Sequence, residues 1–332
     1  MDFASEMKQH LVVMRLPSLE ELHDAARLVA SAIRPTPEIC WPALSERCGA
    51  EVWVKHENHT PIGSFKVRGG LVFTDDLVRR RPAVTGVIAA TRGNHGQSVA
   101  FAARRHGLRA TIVVPQRNSV EKNAAMRALG AELIEHGDDF QDAFEYATQL
   151  ARDRELAMFP SFHELLVRGV GTYGLELLRA VAALEIVYVP IGLGSGICGT
   201  IAAREALGLA TKIVGVVAEG APAYALSFAE RKPVRTDSAR TEADGLAVRV
   251  PDPAAVEVLN RYVERVVTVS DDEIKDAMRH YFTDTHNVAE GAGAAALAGA
   301  LKERDRLRGR TVGVILSGGN IDRSAYTRIL AG

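Results

Sequence analysis

The stretch that decides the fold runs Gly86-Val-Ile-Ala-Ala-Thr91, then HGQSVAFAARRHG over residues 95–107, then ATIVVP over 110–115. The outer pieces are short apolar runs of strand length. The middle piece repeats its apolar residues at helical spacing and stops at Gly107. Apolar strands alternating with amphipathic helices indicate a parallel sheet covered on both faces. The pattern continues outward. SVEKNAAMRALG (119–130) reads as a helix stopped by Gly130, AELIEHG (131–137) as a strand, and DFQDAFEYATQLARDR as the next helix. A second series opens with the strand EIVYVPI (185–191), a glycine loop and a helix, and KIVGVVA (212–218) and RTVGVILS (310–317) supply further buried strands. Upstream, Ser18 with Glu21 three residues on marks a capped helix. Pro35-Thr36-Pro37 enforces an extended segment, and residues 50–56 alternate like a strand. The fold class expected is α/β, with two open parallel-sheet domains. Because the first strand precedes the first series, the N-terminal segment is expected to join the later unit. That gives a large domain over 1–69 and 161–332 and a small one over 70–160.

Composition narrows the function classes. The chain has 332 residues, 47% hydrophobic and 24% charged, with a formal net charge of −1. No basic surface for nucleic acid is expected. No apolar run approaches the ~18 residues of a membrane-spanning helix, and residues 1–16 read as a loose arm without a secretory core. Cys40, Cys48 and Cys198 are scattered, and the ten histidines lack metal-ligand spacing. The expectation is a cytoplasmic protein with no membrane or nucleic-acid partner and no metal.

Four motifs carry chemistry. Lys66, in PIGSFKVRGG (61–70), sits in a nearly uncharged stretch; desolvation there favours the neutral, nucleophilic amine, although a surface lysine on a first helical turn would read the same way. Thr91-Arg92-Gly93-Asn94-His95-Gly96-Gln97 follows a strand and opens a helix, so its N–H groups suit an anion such as a carboxylate, or simply form an N-capping loop. Gly192-Leu193-Gly194-Ser195-Gly196 is a strand-to-helix loop able to wrap a phosphate. Gly194 to Gly199 also matches G-x-G-x-x-G with Glu219 beyond it, which makes an NAD-dependent oxidoreductase the main alternative. Ser317-Gly318-Gly319-Asn320 ends a buried strand, and Glu290 precedes a helix whose dipole favours its carboxylate.

Taken together, SFKxRG (64–69), GNHGQ (93–97), the loop at 192–196 and SGGN (317–320) resemble fold-type II pyridoxal-phosphate enzymes, of tryptophan synthase β-like architecture. The likeness is to the threonine dehydratase and serine racemase group and spans Pro17 to Asn320. The GLGSG loop and TRGNHGQ are similar to a bacterial threonine dehydratase-like or hydroxyectoine-utilisation subgroup. The resemblance implies a homodimer, with pyridoxal 5'-phosphate on the large domain and a mobile small domain. It implies that Lys66 holds the cofactor as a Schiff base and moves the α-proton, with Ser64 assisting. Asn94 would donate to the ring hydroxyl. The N–H groups of Gly192, Leu193, Gly194, Ser195 and Gly196 would bind phosphate, and Ser317 would meet the pyridine nitrogen. Thr91 and the backbone from Gly93 to His95 would hold the substrate carboxylate. A hydroxyl at the pyridine nitrogen makes a weaker electron sink than a carboxylate, so elimination of water from a 3-hydroxy amino acid fits better than transamination. A β-replacement synthase is the alternative within the cofactor class.

Two departures matter. At Arg92 the group usually carries serine, and a permanently charged arginine is a poor proton donor for racemisation. Arg92 either pairs a carboxylate on the substrate side chain, as in 3-hydroxyaspartate, or turns outward to solvent or to a structural acid. The segment 217–223 offers Glu219 and no second acid, so no structural cation is expected.

Overall fold

Among the described residues, 14–332, the computed structural model has ten strands in two sheets; residues 1–13 of the expected arm lie outside them. In chain order these are β1 (Glu38–Cys40), β2 (Glu51–His56), β3 (Gly86–Ala90), β4 (Arg109–Val114) and β5 (Glu132–Glu135). The rest are β6 (Ala157–Met158), β7 (Ile186–Pro190), β8 (Lys212–Ala218), β9 (Arg265–Val269) and β10 (Thr311–Leu316). One sheet is ordered β1-β2-β10-β7-β8-β9 and the other β5-β4-β3-β6. All pairs are parallel except β1 with β2.

The apolar runs are explained by burial on two faces. Along β7, Ile186 and Tyr188 enter one core while Val187 and Val189 enter the core behind the sheet. In the smaller sheet Val87 and Ala89 face one cluster, and Ile88 and Ala90 the other. The two-residue alternation of a strand therefore leaves no polar position. Leading into the larger sheet, Ser18 and Glu21 cap the helix Leu19–Ala30 reciprocally.

Several elements lay outside the sequence reading: β1, β6, β9 and the long helix Glu164–Ala180. That helix crosses the helix Lys66–Arg80 almost backbone to backbone. A Cβ on Gly169 would stand 2.3 Å from the carbonyl oxygen of Arg68, and one on Gly69 would stand 2.9 Å from that of Leu166. The consequence is positional, because Lys66 opens the helix so anchored. β10 and β7 are neighbours, so Ser317 and Gly192 emerge side by side at the carboxyl ends of parallel strands. Ser64 forms an isolated antiparallel bridge with Gly318, drawing the lysine segment to the same edge.

Candidate active site

Lys66 Nζ donates to Ser195 Oγ across 3.5 Å, which brings the lysine to the start of the helix Ser195–Ala206. Burial pushes its pKa down to about 8. The Phe65 ring centroid lies 5.1 Å from the amine, and Phe65 meets Tyr173 edge-on. Tyr173 in turn donates its hydroxyl to Gly196 O at 2.8 Å. Lysine and glycine loop are thus parts of one packed unit.

Among the described residues no acceptor takes the N–H groups of Gly192 through Gly196. Such groups at a helix N-terminus form an anion site. Gly194 holds φ +106°, which L side chains rarely adopt, and a Cβ there would also meet Ala255 Cβ at 2.7 Å. Tyr224 donates its hydroxyl to Leu193 O at 2.7 Å, occupying a carbonyl that would otherwise oppose an anion.

On the facing loop, Thr91 Oγ1 accepts from Gly93 N at 3.0 Å, so that N–H is already used inside the loop. The N–H groups of Asn94 and His95 have no acceptor among the described residues, and they remain for a carboxylate. Burial, with a smaller contribution from the Lys66 charge, pushes His95 down to about 3, so its ring is neutral; its Nε2 is buried without a partner. Arg92 stands apart. It is 45% exposed and gives Nη1 to Asp244 Oδ1 at 3.3 Å, so in this structure the acid it meets is one of the protein's own.

Ser317 is buried and donates to Ala292 O at 3.3 Å, while its own carbonyl accepts from Phe65 N at 3.1 Å. Ser64 Oγ is buried with no partner. The fit to a phosphorylated aldehyde follows from these atoms: five unclaimed amides for the phosphate, an amine whose lowered pKa favours its nucleophilic form for the carbonyl, and an orphaned hydroxyl two residues before that amine.

Contacts link Lys66 to the glycine loop, Ser64 to Gly318, and Asn94 to Asn320 beside Ser317, so these groups form one site, with Arg92 partly exposed at its edge. Sequence reasoning named Glu290 only at its helix start and missed the charges that meet it. Glu290 reaches out of its helix start to Asn94 Nδ2, and Lys122 lies 3.3 Å from its other oxygen. Lys122 also lies 3.7 Å from Asp244. Asn320 and Arg68 stood inside recognised motifs without a role assigned. Lys122 and Asp244 carried no local signal.

Between two parallel-dominated sheets, an amine primed for a carbonyl beside an anion loop defines an enzyme of the covalent-cofactor α/β class. The chain belongs to the family described as pyridoxal-phosphate dependent enzyme, whose sequence pattern matches residues 29–318. It is 34% identical over 317 residues to the L-threonine ammonia-lyase of Thermotoga maritima, covering 94% of this chain and 78% of that one. To the L-threo-3-hydroxyaspartate ammonia-lyase of Saccharomyces cerevisiae it is 31% identical over 320 residues, 96% and 98% of the two chains. Among solved structures, the processed form of threonine deaminase isoform 2 from Solanum lycopersicum matches with a TM-score of 0.86 at 30% identity, over 95% of each chain. The fold is therefore the fold-type II architecture, the cofactor is pyridoxal 5'-phosphate, and the chain stands among ammonia-lyases and dehydratases. The dinucleotide reading of Gly194 to Gly199 is set aside. Among the described residues no helix is long and apolar enough to cross a membrane.

Proposed function

We propose that the protein eliminates water from a 3-hydroxy amino acid, yielding a keto acid and ammonia. The carrying observation is Lys66, an amine with a pKa pushed down to about 8 and set 3.5 Å from the glycine loop. When bound there, the cofactor supplies an electron-withdrawing ring that acidifies the α-carbon of the attached amino acid. Gly192 to Gly196 hold its phosphate through their N–H groups, and Asn94 gives an N–H to its ring oxygen. Thr91 and the amides of Asn94 and His95 receive the substrate carboxylate. Lys66 would take the α-proton at Nζ. Ser64, buried with no other partner, hydrogen-bonds the departing β-hydroxyl. Carbon–hydrogen and carbon–oxygen bonds break on adjacent carbons, water leaves, and the resulting enamine tautomerises and hydrolyses.

Ser317 supports elimination over transamination. A hydroxyl beside the pyridine nitrogen, unlike a carboxylate, would not hold a proton there, and the weaker electron sink so supplied would favour loss of the β-hydroxyl as water over transamination. Arg92 bears on the side chain accepted. One of its nitrogens is engaged by Asp244, and the remaining donors are available to a second carboxylate, as in 3-hydroxyaspartate.

A panel of 3-hydroxy amino acids, assayed for keto acid and ammonia, tests the reaction. Release from at least one of them, abolished by Lys66→Ala, is expected. Turnover undiminished in Lys66→Ala would overturn the assignment.

A further inference from the structure

The Asn94 side chain is held at both ends. Asn320 Nδ2 donates to Ile62 O at 2.8 Å and to Asn94 Oδ1 at 2.8 Å, and Asn94 Nδ2 donates to Glu290 Oε1. The orientation of the whole chain of amides follows from its ends. A backbone carbonyl accepts only, so the Asn320 group beside Ile62 is the nitrogen, and that nitrogen must meet an oxygen on Asn94. A carboxylate also accepts only, so the group Asn94 turns to Glu290 is its nitrogen. No flip of either amide preserves both contacts.

Three surrounding features keep this arrangement in register. Lys122 stands 3.3 Å from Glu290 Oε2 and balances a carboxylate whose residue is buried. Burial alone would lower the Lys122 pKa, but Glu290 and Asp244 raise it above its usual value, so the ammonium persists. Gly318 lies so close that a Cβ would stand 2.3 Å from Glu290 Oε1 and 3.3 Å from Asn94 Nδ2. A Cβ on Gly63 would stand 2.7 Å from Asn320 Oδ1. The main chain of the lysine loop and of the SGGN turn therefore encloses the three side chains on both flanks.

We propose that Asn320 and Glu290 are positioning residues that lock the Asn94 amide with a nitrogen, never an oxygen, toward the cofactor. The inference rests on the reading that Asn94 serves the ring oxygen. With one Nδ2 hydrogen given to Glu290, the second remains for an anionic oxygen in the cleft. A freely turning amide would offer that oxygen a repelling carbonyl part of the time. Lys122 supports the lock through Glu290 and does not touch the cofactor.

The visible absorption band of the holoenzyme and its pH dependence report the charge at the ring oxygen, independently of turnover. Asn94→Ala is expected to shift this band. The pair Asn320→Ala with Glu290→Gln is expected to shift it in the same direction and to add nothing further in an Asn94→Ala background. A band moved by Asn94→Ala but untouched by the pair overturns the lock alone. So does a shift from the pair that persists at full size without Asn94. A band unmoved in Asn94→Ala overturns the reading of Asn94 itself and the lock with it. Should the pair not fold, Glu290→Gln alone serves. Its amide can present nitrogen as well as oxygen to Asn94, and a smaller shift, absent again in the Asn94→Ala background, is expected.

Discussion

Glu57 holds Arg68 through both carboxylate oxygens, at 2.7 and 2.9 Å, and both side chains are wholly buried. Glu176 takes the third guanidinium nitrogen, Nη1, at 2.7 Å and shares Nη2 with Glu57 at 2.8 Å, and buried Lys55 reaches Glu176 from β2. Arg68 follows Lys66 by two residues, so this network fixes the turn that presents the amine. It joins that turn to β2 through Lys55 and to the helix Glu164–Ala180.

Arg68→Leu would leave Glu57 buried without its cation and Glu176 with Lys55 alone, and removing one partner of a buried pair costs about 3–5 kcal/mol. The expected result is a lower denaturation midpoint of the cofactor-free protein. Arg68→Lys should recover only part of the loss, since an ammonium lacks the planar fork. A midpoint unchanged in Arg68→Leu would contradict the role given to this network.

Lys66 predicts a pH dependence with a definite sign. Its folded pKa of about 8 lies below the ordinary 10.5, so folding favours the neutral amine. The folded state carries a penalty below pH 8. That penalty is relieved as pH rises from about 8 toward 10.5, where the unfolded chain binds more protons than the folded one. Capture of pyridoxal phosphate by the cofactor-free protein should accelerate through pH 8, followed by absorbance. Lys66→Met should be at least as stable as the wild type at pH 7. A capture midpoint near 10.5 would contradict the buried amine.

Much of this architecture was legible in the chain because the signals were local. The run 186–190 can only be a strand buried on two faces, and each site loop carries its own glycines next to its own strand. The helix Glu164–Ala180 was not legible for a physical reason. Gly169, Gly171 and Gly174 look like breakers, yet each admits a close neighbour: Arg68 O at Gly169, Leu22 Cδ2 and then Gly199 O at Gly171, and Ala203 Cβ at Gly174. β6 has two residues, and β9 is only half buried over most of its length, so neither shows a period. Within the site, the lysine and the loops were visible one by one. The pair Arg92–Asp244 joins residues 152 apart, and Lys122–Glu290 likewise exists only once the two sheets face each other.

The mouth of the cleft should discriminate between substrates. If Arg92 binds a distal carboxylate, Arg92→Ala removes a charge-assisted hydrogen bond worth roughly 1.5–3 kcal/mol. That corresponds to about a 10- to 100-fold fall in kcat/KM for 3-hydroxyaspartate. Threonine, which has no such group, should be affected far less. Competition between the two substrates on the same preparation measures the ratio directly. An unchanged preference in Arg92→Glu would assign Arg92 to Asp244 alone.

Asp322 precedes the helix Arg323–Ala331 but does not cap it with its side chain. Its Oδ1 instead accepts from Ser119 Oγ at 2.5 Å and Glu121 N at 3.2 Å, at the start of the helix Val120–Ala128. Glu121 reciprocates: its Oε1 accepts from Arg323 N at 2.9 Å. The two helices thus exchange end caps between the unit of the smaller sheet and the C-terminal segment beside Asn320. A lost cap costs about 1 kcal/mol. If the smaller unit moves during turnover, this exchange forms when it closes. Asp322→Ala should then speed amide exchange over residues 120–128 and raise KM more than it lowers kcat, because opening is favoured while the chemical groups stay in place. Exchange rates and KM equal to those of the wild type would show that the caps bear no part of the closure.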